Sequence, residues 1–186
     1  YAPTQRGFDS YFGYLGPWTD YFNHTFVMPK KNYSRGLDLY ENMDIVAEDY
    51  TGEYATDLYT RKAVEVIDNQ CKDKPFFLLV NHLACHTGND DDPLQAKPED
   101  LARFPYITNP RRKLYAAMLY ALDESIGKIV EALTKNDLLE DTIIVYYTDN
   151  GGAAAIELTK PNTANNFPLR SVSKMLKSRP IFNVFE

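Results

Sequence analysis

Apolar and polar residues follow two different periods along this chain, and the switches between them predict its elements. From Ala55 to Asn69, Tyr59, Ala63, Val66, Ile67 and then Gln70 recur at helical spacing, with Asp57, Arg61, Lys62 and Asp68 elsewhere around the wheel. That is the signature of an amphipathic helix. Lys72-Asp73-Lys74-Pro75 interrupts it, and Phe76-Phe77-Leu78-Leu79-Val80 follows as an unbroken apolar run ending at Asn81. Such a run predicts a central parallel strand covered on both faces. Thr87 to Pro105 is polar and reads as a long functional loop. Asn109 and Pro110 then stand as cap and first residue of a second helix. Its apolar stripe is Tyr115, Met118, Leu119, Leu122, Ile126, Ile129, Val130 and Leu133, and it ends near Lys135-Asn136. Thr142 to Thr148 predicts a second buried strand. Before Tyr50 the alternations are short and rich in Tyr, Phe, Gly and Pro, which predicts long loops with short strands.

Helix, strand, loop, helix, strand is the alternation of an α/β sheet with helices packed on its faces. Composition agrees: of 186 residues, 44% are hydrophobic, 25% charged and 13% aromatic, which excludes disordered and fibrous classes. The formal charge of -6 gives no reason to expect a nucleic-acid partner, which needs clustered Lys and Arg. No apolar run approaches the roughly 18 to 20 residues of a membrane span. Tyr1 is not an initiator Met and no signal-peptide pattern follows it, so both ends read as cut. Cys71 and Cys85 are too few for a disulfide framework, and their pairing stays open. Asn23-His24-Thr25 and Asn32-Tyr33-Ser34 are sequons in a polar, aromatic segment, and they favour the secretory pathway.

Candidate chemistry gathers where the two predicted strands end. In open α/β sheets ligands bind beyond the carboxyl ends of the strands. One strand runs into Asn81-His82-Leu83-Ala84-Cys85-His86, the other into Asp149-Asn150-Gly151-Gly152. Asp149 and Asn150 offer a carboxylate and an amide oxygen, hard ligands suited to Ca²⁺ or Mg²⁺. Asn150-Gly151 is also a hairpin signal, and local pattern alone favours a turn. Ala153-Ala154-Ala155-Ile156 makes a poor returning strand, however, which turns the reading towards a functional strand end. His82, Cys85 and His86 have spacings that zinc uses, but no fourth ligand accompanies them. Alone, His86 reads as a structural or surface histidine and Cys85 as a small buried hydrophobe. Asn89 to Asp92 reads as a solvated acidic run.

Four stretches taken together resemble the sulfatase family. They are Arg6-Gly7-Phe8-Asp9-Ser10-Tyr11-Phe12-Gly13-Tyr14, Pro75-Phe76-Phe77-Leu78 with His86 ten residues after Phe76, the Tyr115 to Gly127 helix, and Thr148-Asp149-Asn150-Gly151-Gly152. The likeness runs from about Gln5 to Arg170 and is greatest to the arylsulfatase branch that acts on N-acetylgalactosamine 4-sulfate. It implies an alkaline-phosphatase-like fold, a mostly parallel sheet with helices on both faces, incomplete here. Residues 1–170 would be part of a catalytic domain and residues 171–186 a divergent tail.

The resemblance also implies a function, hydrolysis of sulfate esters on sulfated carbohydrates or aryl sulfates, in a lysosomal or secreted glycoprotein with glycans at Asn23 and Asn32. Asp149 and Asn150 match metal ligands for Ca²⁺, and His86 matches the histidine that contacts the sulfate near its leaving oxygen. The family's nucleophile is a formylglycine made from Cys in Cys-x-Pro-x-Arg, and neither Cys71 nor Cys85 stands in that context. The family's early Asp-Asp pair and Lys-Trp-His segment are absent too, so these 186 residues alone are expected to be inactive. The rivals are a phosphatase or phosphodiesterase of the same superfamily, and a secreted glycoprotein that keeps the fold but only binds.

Overall fold

The computed structural model describes residues 2–28, 34–71 and 73–152. The second sequon at Asn32, the Ala153–Ile156 stretch and the tail from residue 171 lie outside the described residues. Five short strands come first: β1 (Phe12–Gly13), β2 (Thr25–Val27), β3 (Arg35–Leu37), β4 (Tyr40–Glu41) and β5 (Asp44–Ile45). They form an antiparallel sheet in the order β1-β4-β5 and an antiparallel β2-β3 pair. Helices α1 (Ala55–Asp68), α2 (Pro98–Ala102) and α3 (Pro110–Lys135) follow. Both long helices therefore stand where the period placed them. The cap is as expected: Asn109 Oδ1 accepts the Arg112 amide at 3.0 Å, satisfying a donor that the helix itself leaves orphaned.

The buried faces of α1 and α3 combine part of the predicted apolar stripe, Tyr59, Ala63, Ile67, Met118 and Leu133, with small and hydroxylated side chains. Thr56, Thr60 and Ala63 of α1 are buried, as are Ala117, Ala121 and Ser125 of α3, and residues this small let the two backbones approach closely. Of the other stripe residues, Val66 and Leu119 are exposed. Above this pair lies the main core, where Tyr21, Leu39, Tyr54, Leu58, Leu83 and Met118 meet. Tyr21 and Tyr54 stack there with ring centroids 5.3 Å apart.

The loops around the core are pinned by buried polar groups. Asp38 Oδ1 and Oδ2 accept the amides of Leu15 and Gly16 at 3.0 and 2.9 Å. A Cβ on Gly16 would lie 2.5 Å from Asp38 Oδ2, so only glycine leaves room for the carboxylate to close this turn. The polar segment after Thr87 is more ordered than a loop reading allows. It contains α2, and Asn89 in the acidic run is fully buried. Asn89 Oδ1 accepts Val27 N–H at 2.9 Å, while its Nδ2 donates to the Thr25 carbonyl at 2.8 Å. Asp90, Asp91 and Asp92 remain exposed, as expected of a solvated run.

The two predicted central strands are corrected. Neither Phe76–Val80 nor Thr142–Thr148 joins a ladder among the described residues. Phe76 and Leu78 pack against Ile67, Ala132 and Leu133, whereas Phe77 and Leu79 are exposed, so burial alternates with a period of two. All five apolar side chains from Ile143 to Tyr147 are more than half exposed. Apolar content predicts a buried strand only where a neighbouring strand covers it, and ladder partners are a long-range property that no local pattern encodes.

Candidate active site

His86 is held at four points. Its amide donates to the Leu83 carbonyl at 2.7 Å, closing a tight turn around the buried Leu83. Its own carbonyl accepts the hydroxyl of Tyr21 at 2.8 Å. Its ring lies against Trp18, the two planes 13° apart and the centroids separated by 6.2 Å. The imidazole Nδ1 is 2.8 Å from the Thr87 carbonyl oxygen. A carbonyl can only accept, so the Nδ1 proton is fixed there. Nε2 has no hydrogen-bond partner among the described residues and belongs to an exposed residue. When the ring is neutral Nε2 accepts, and it donates only from the imidazolium.

The Asp149-Asn150 end of the second extended segment is exposed. Asn150 Nδ2 donates to Asp149 Oδ1 at 3.0 Å, and Thr148 Oγ1 donates to the Asn150 carbonyl at 2.6 Å. Asp149 lies close enough to Tyr14 for its charge to help raise that phenol's pKa, after burial and Asp38. The segment end is thus brought to the Phe8-to-Tyr14 motif. No hydrogen bond or ion pair among the described residues joins His86 to Asp149 or Asn150.

The donor set fits part of a calcium site. A carboxylate and an amide oxygen side by side, open to solvent, are the right chemistry for Ca²⁺, which takes about six to eight oxygens. Among the described residues no group of three or more His, Cys, Asp or Glu gathers closely enough to hold a metal, and Asp149 and Asn150 by themselves supply a minority of those oxygens. Zinc does not suit the first strand end. His82 Nε2 is 2.9 Å from Ser125 Oγ, and burial lowers its pKa to about 4. Burial also pushes the Cys85 thiol up to about 12, which keeps it protonated and weakly nucleophilic near neutral pH. Cys71 and Cys85 are both free thiols.

At the first sequon, Asn23 Oδ1 accepts the Thr25 amide at 3.1 Å and also bonds the Thr25 hydroxyl. Sequence reasoning did not single out Trp18 or Tyr21. Trp18 is the chain's single tryptophan, the one signal that pointed to it.

The chain matches the family described as Sulfatase over residues 1–170. It belongs to the sulfatase family. It is 38% identical over 170 residues to arylsulfatase J of Mus musculus, covering 90% of this chain and 26% of that protein. It is 27% identical over 167 residues to the N-acetylgalactosamine-6-sulfatase of Homo sapiens, covering 82% of this chain and 28% of that one. The crystal structure of Ps i-CgsB superposes with a TM-score of 0.74 at 40% identity, covering 91% of this chain and 37% of that chain. The same protein has been solved in complex with k-i-k-neocarrahexaose. The sulfatase chain described here thus spans between a quarter and two fifths of the length of these relatives. Its helices and small sheets are part of the alkaline-phosphatase-like α/β fold, and the two extended segments follow that fold without forming its sheet. Among the described residues no helix is long and apolar enough to cross a membrane.

Proposed function

We propose that this sequence forms the part of a sulfuric ester hydrolase that carries two metal ligands and a sulfate-contacting histidine. One observation carries the reading: Asp149-Asn150, exposed at the end of an extended apolar segment, stands inside a 170-residue family match. Asp149 and Asn150 would hold Ca²⁺ through one carboxylate and one amide oxygen. When bound, Ca²⁺ supplies positive charge that orients and polarises a sulfate ester. His86, with Nδ1 committed to Thr87, presents Nε2 towards solvent, where an imidazolium N–H would stabilise charge developing on the leaving oxygen. The family's nucleophile, a formylglycine, would come from neither cysteine here, since the exposed Cys71 and the half-buried Cys85 both lack its motif.

The substrate class we assign is sulfated carbohydrate, with galactosamine 4-sulfate units of glycosaminoglycans as the specific candidate. Similarity to a galactosamine sulfatase and to a protein solved with a neocarrahexaose supports the class. The two sequons support a glycoprotein of the lysosome or the cell exterior. The test is a full-length version of the chain offered an aryl sulfate, an aryl phosphate and a galactosamine 4-sulfate oligosaccharide. Sulfate release from the first and third is expected. Phosphate release alone would reassign the site to phosphoryl chemistry, and binding without release would make it a lectin-like relative.

A further inference from the structure

His86 follows a turn at an exposed position, and two of its restraints come from Tyr21 and Trp18, far away in sequence. Two of the four restraints act on the backbone, through Leu83 and Tyr21. They fix where the ring starts but leave its rotation free. The Thr87 carbonyl fixes one ring nitrogen, but a hydrogen bond between adjacent, exposed residues competes directly with water. What remains is the face of the ring. Trp18 covers one face at 13°, and the indole is itself wedged edge-on by Phe26 at 5.7 Å, 66° between planes. Trp18 also packs against the main core, so the platform does not drift.

We propose that Trp18 is a positioning residue for His86. It fixes the imidazole so that Nδ1–H stays on Thr87 and Nε2 alone meets the substrate. The large flat indole suits this role, because a ring rotated away would lose the stacked contact and expose both faces of the pair. Loss of the stack would let the ring turn, exchange its Nδ1 proton to Nε2 and present the wrong nitrogen or the wrong protonation state. This inference rests on the sulfate-contacting reading of His86, and its test separates the two.

Trp18→Leu keeps apolar volume without a ring, and Trp18→Phe restores a ring. In ¹⁵N spectra of the full chain, recorded where the ring is neutral, the parent and Trp18→Phe should give the His86 signature of an Nδ1–H tautomer. Trp18→Leu should give a mixture. In a full-length version, Trp18→Leu should lower kcat for an aryl sulfate roughly tenfold at little change in KM, with Trp18→Phe close to the parent, because misplacing a reacting group acts on turnover. A Trp18→Leu protein with the parent's tautomer signature and turnover overturns the inference. His86→Ala distinguishes the failures. If it loses turnover while Trp18→Leu does not, the positioning role is wrong. If it keeps full turnover, the catalytic reading of His86 is wrong, and the spectra alone decide whether Trp18 locks the ring.

Discussion

His82 Nε2 lies 2.9 Å from Ser125 Oγ, and Ser125 Oγ lies 2.6 Å from Thr60 Oγ1, which is also 2.6 Å from the Thr56 carbonyl. Only one direction of donation satisfies every proton in this row: from Nε2–H to Ser125, from Ser125 to Thr60, and from Thr60 to the carbonyl that cannot donate. The row ties the segment after Val80 to both long helices, and His82 Nδ1 is left buried without a partner. A proton added there would meet no acceptor.

That arrangement makes stability depend on pH. Burial lowers the His82 pKa from 6.5 to about 4, so between those values the unfolded chain binds the proton and the folded chain does not. The stabilising contribution is complete above pH 6.5 and is lost progressively as pH falls towards 4. At about 1.4 kcal/mol per pKa unit, it is on the order of 3 kcal/mol at most. Burial lowers the pKa of His24 too, with the same sign, so the variant isolates one group. Urea midpoints of the parent should drop between pH 7 and pH 4.5, and those of His82→Gln should drop less. Equal slopes would contradict the assignment.

The helices were legible in the sequence because their determinants are local: the three-to-four residue recurrence before Asn69, and the Asn109-Pro110 cap with its side chain on Arg112 N–H. The strands were not, because the run Phe76 to Val80 specifies an extended backbone but not what lies beside it. Asn89 was hidden for a related reason, since an amide in an acidic run looks solvated until Val27 and Thr25 are brought to it. Asp149, Asn150 and His86 were recognisable only in company, as parts of a family pattern. Trp18 was outside that pattern, and its stack on His86 exists only once the chain has folded.

Asn89 offers a direct test of the buried bridge. The Thr25 carbonyl also accepts from Asp20 N–H, so Asn89→Ala leaves it satisfied, but the amide of Val27 loses its acceptor. Stranding one buried donor costs about 1–3 kcal/mol. Asn89→Ala should therefore lower the thermal midpoint measurably, and Asp91→Ala, at an exposed position, should not. A neutral Asn89→Ala would show that the loop is held by other means.

Gly16 and Asp38 form a second lock. Gly16→Ala places a methyl against Asp38 Oδ2 and forces the carboxylate off two amides. A loss of about 2 kcal/mol is expected from this overpacking, read as a shift in denaturant midpoint at constant slope. Gly36→Ala, where an added Cβ meets nothing within 4 Å, is the matched control.

The stretch from Ile143 to Tyr147 is apolar, uncharged, free of Pro and exposed. Such a stretch is a template for pairing with another extended chain. The 186-residue chain prepared by itself should self-associate in sedimentation experiments, and Val145→Lys should raise the monomer fraction. A monomeric parent at micromolar concentration would argue that the stretch is covered.

If Asp149 and Asn150 ligate Ca²⁺ as proposed, Asp149→Ala in a full-length version of the chain removes the ion. Bound Ca²⁺, measured by elemental analysis after gel filtration, and turnover of an aryl sulfate should be lost together, while the thermal midpoint in chelator stays that of the parent. A variant that keeps both its Ca²⁺ and its turnover would show that Asp149 is not a metal ligand.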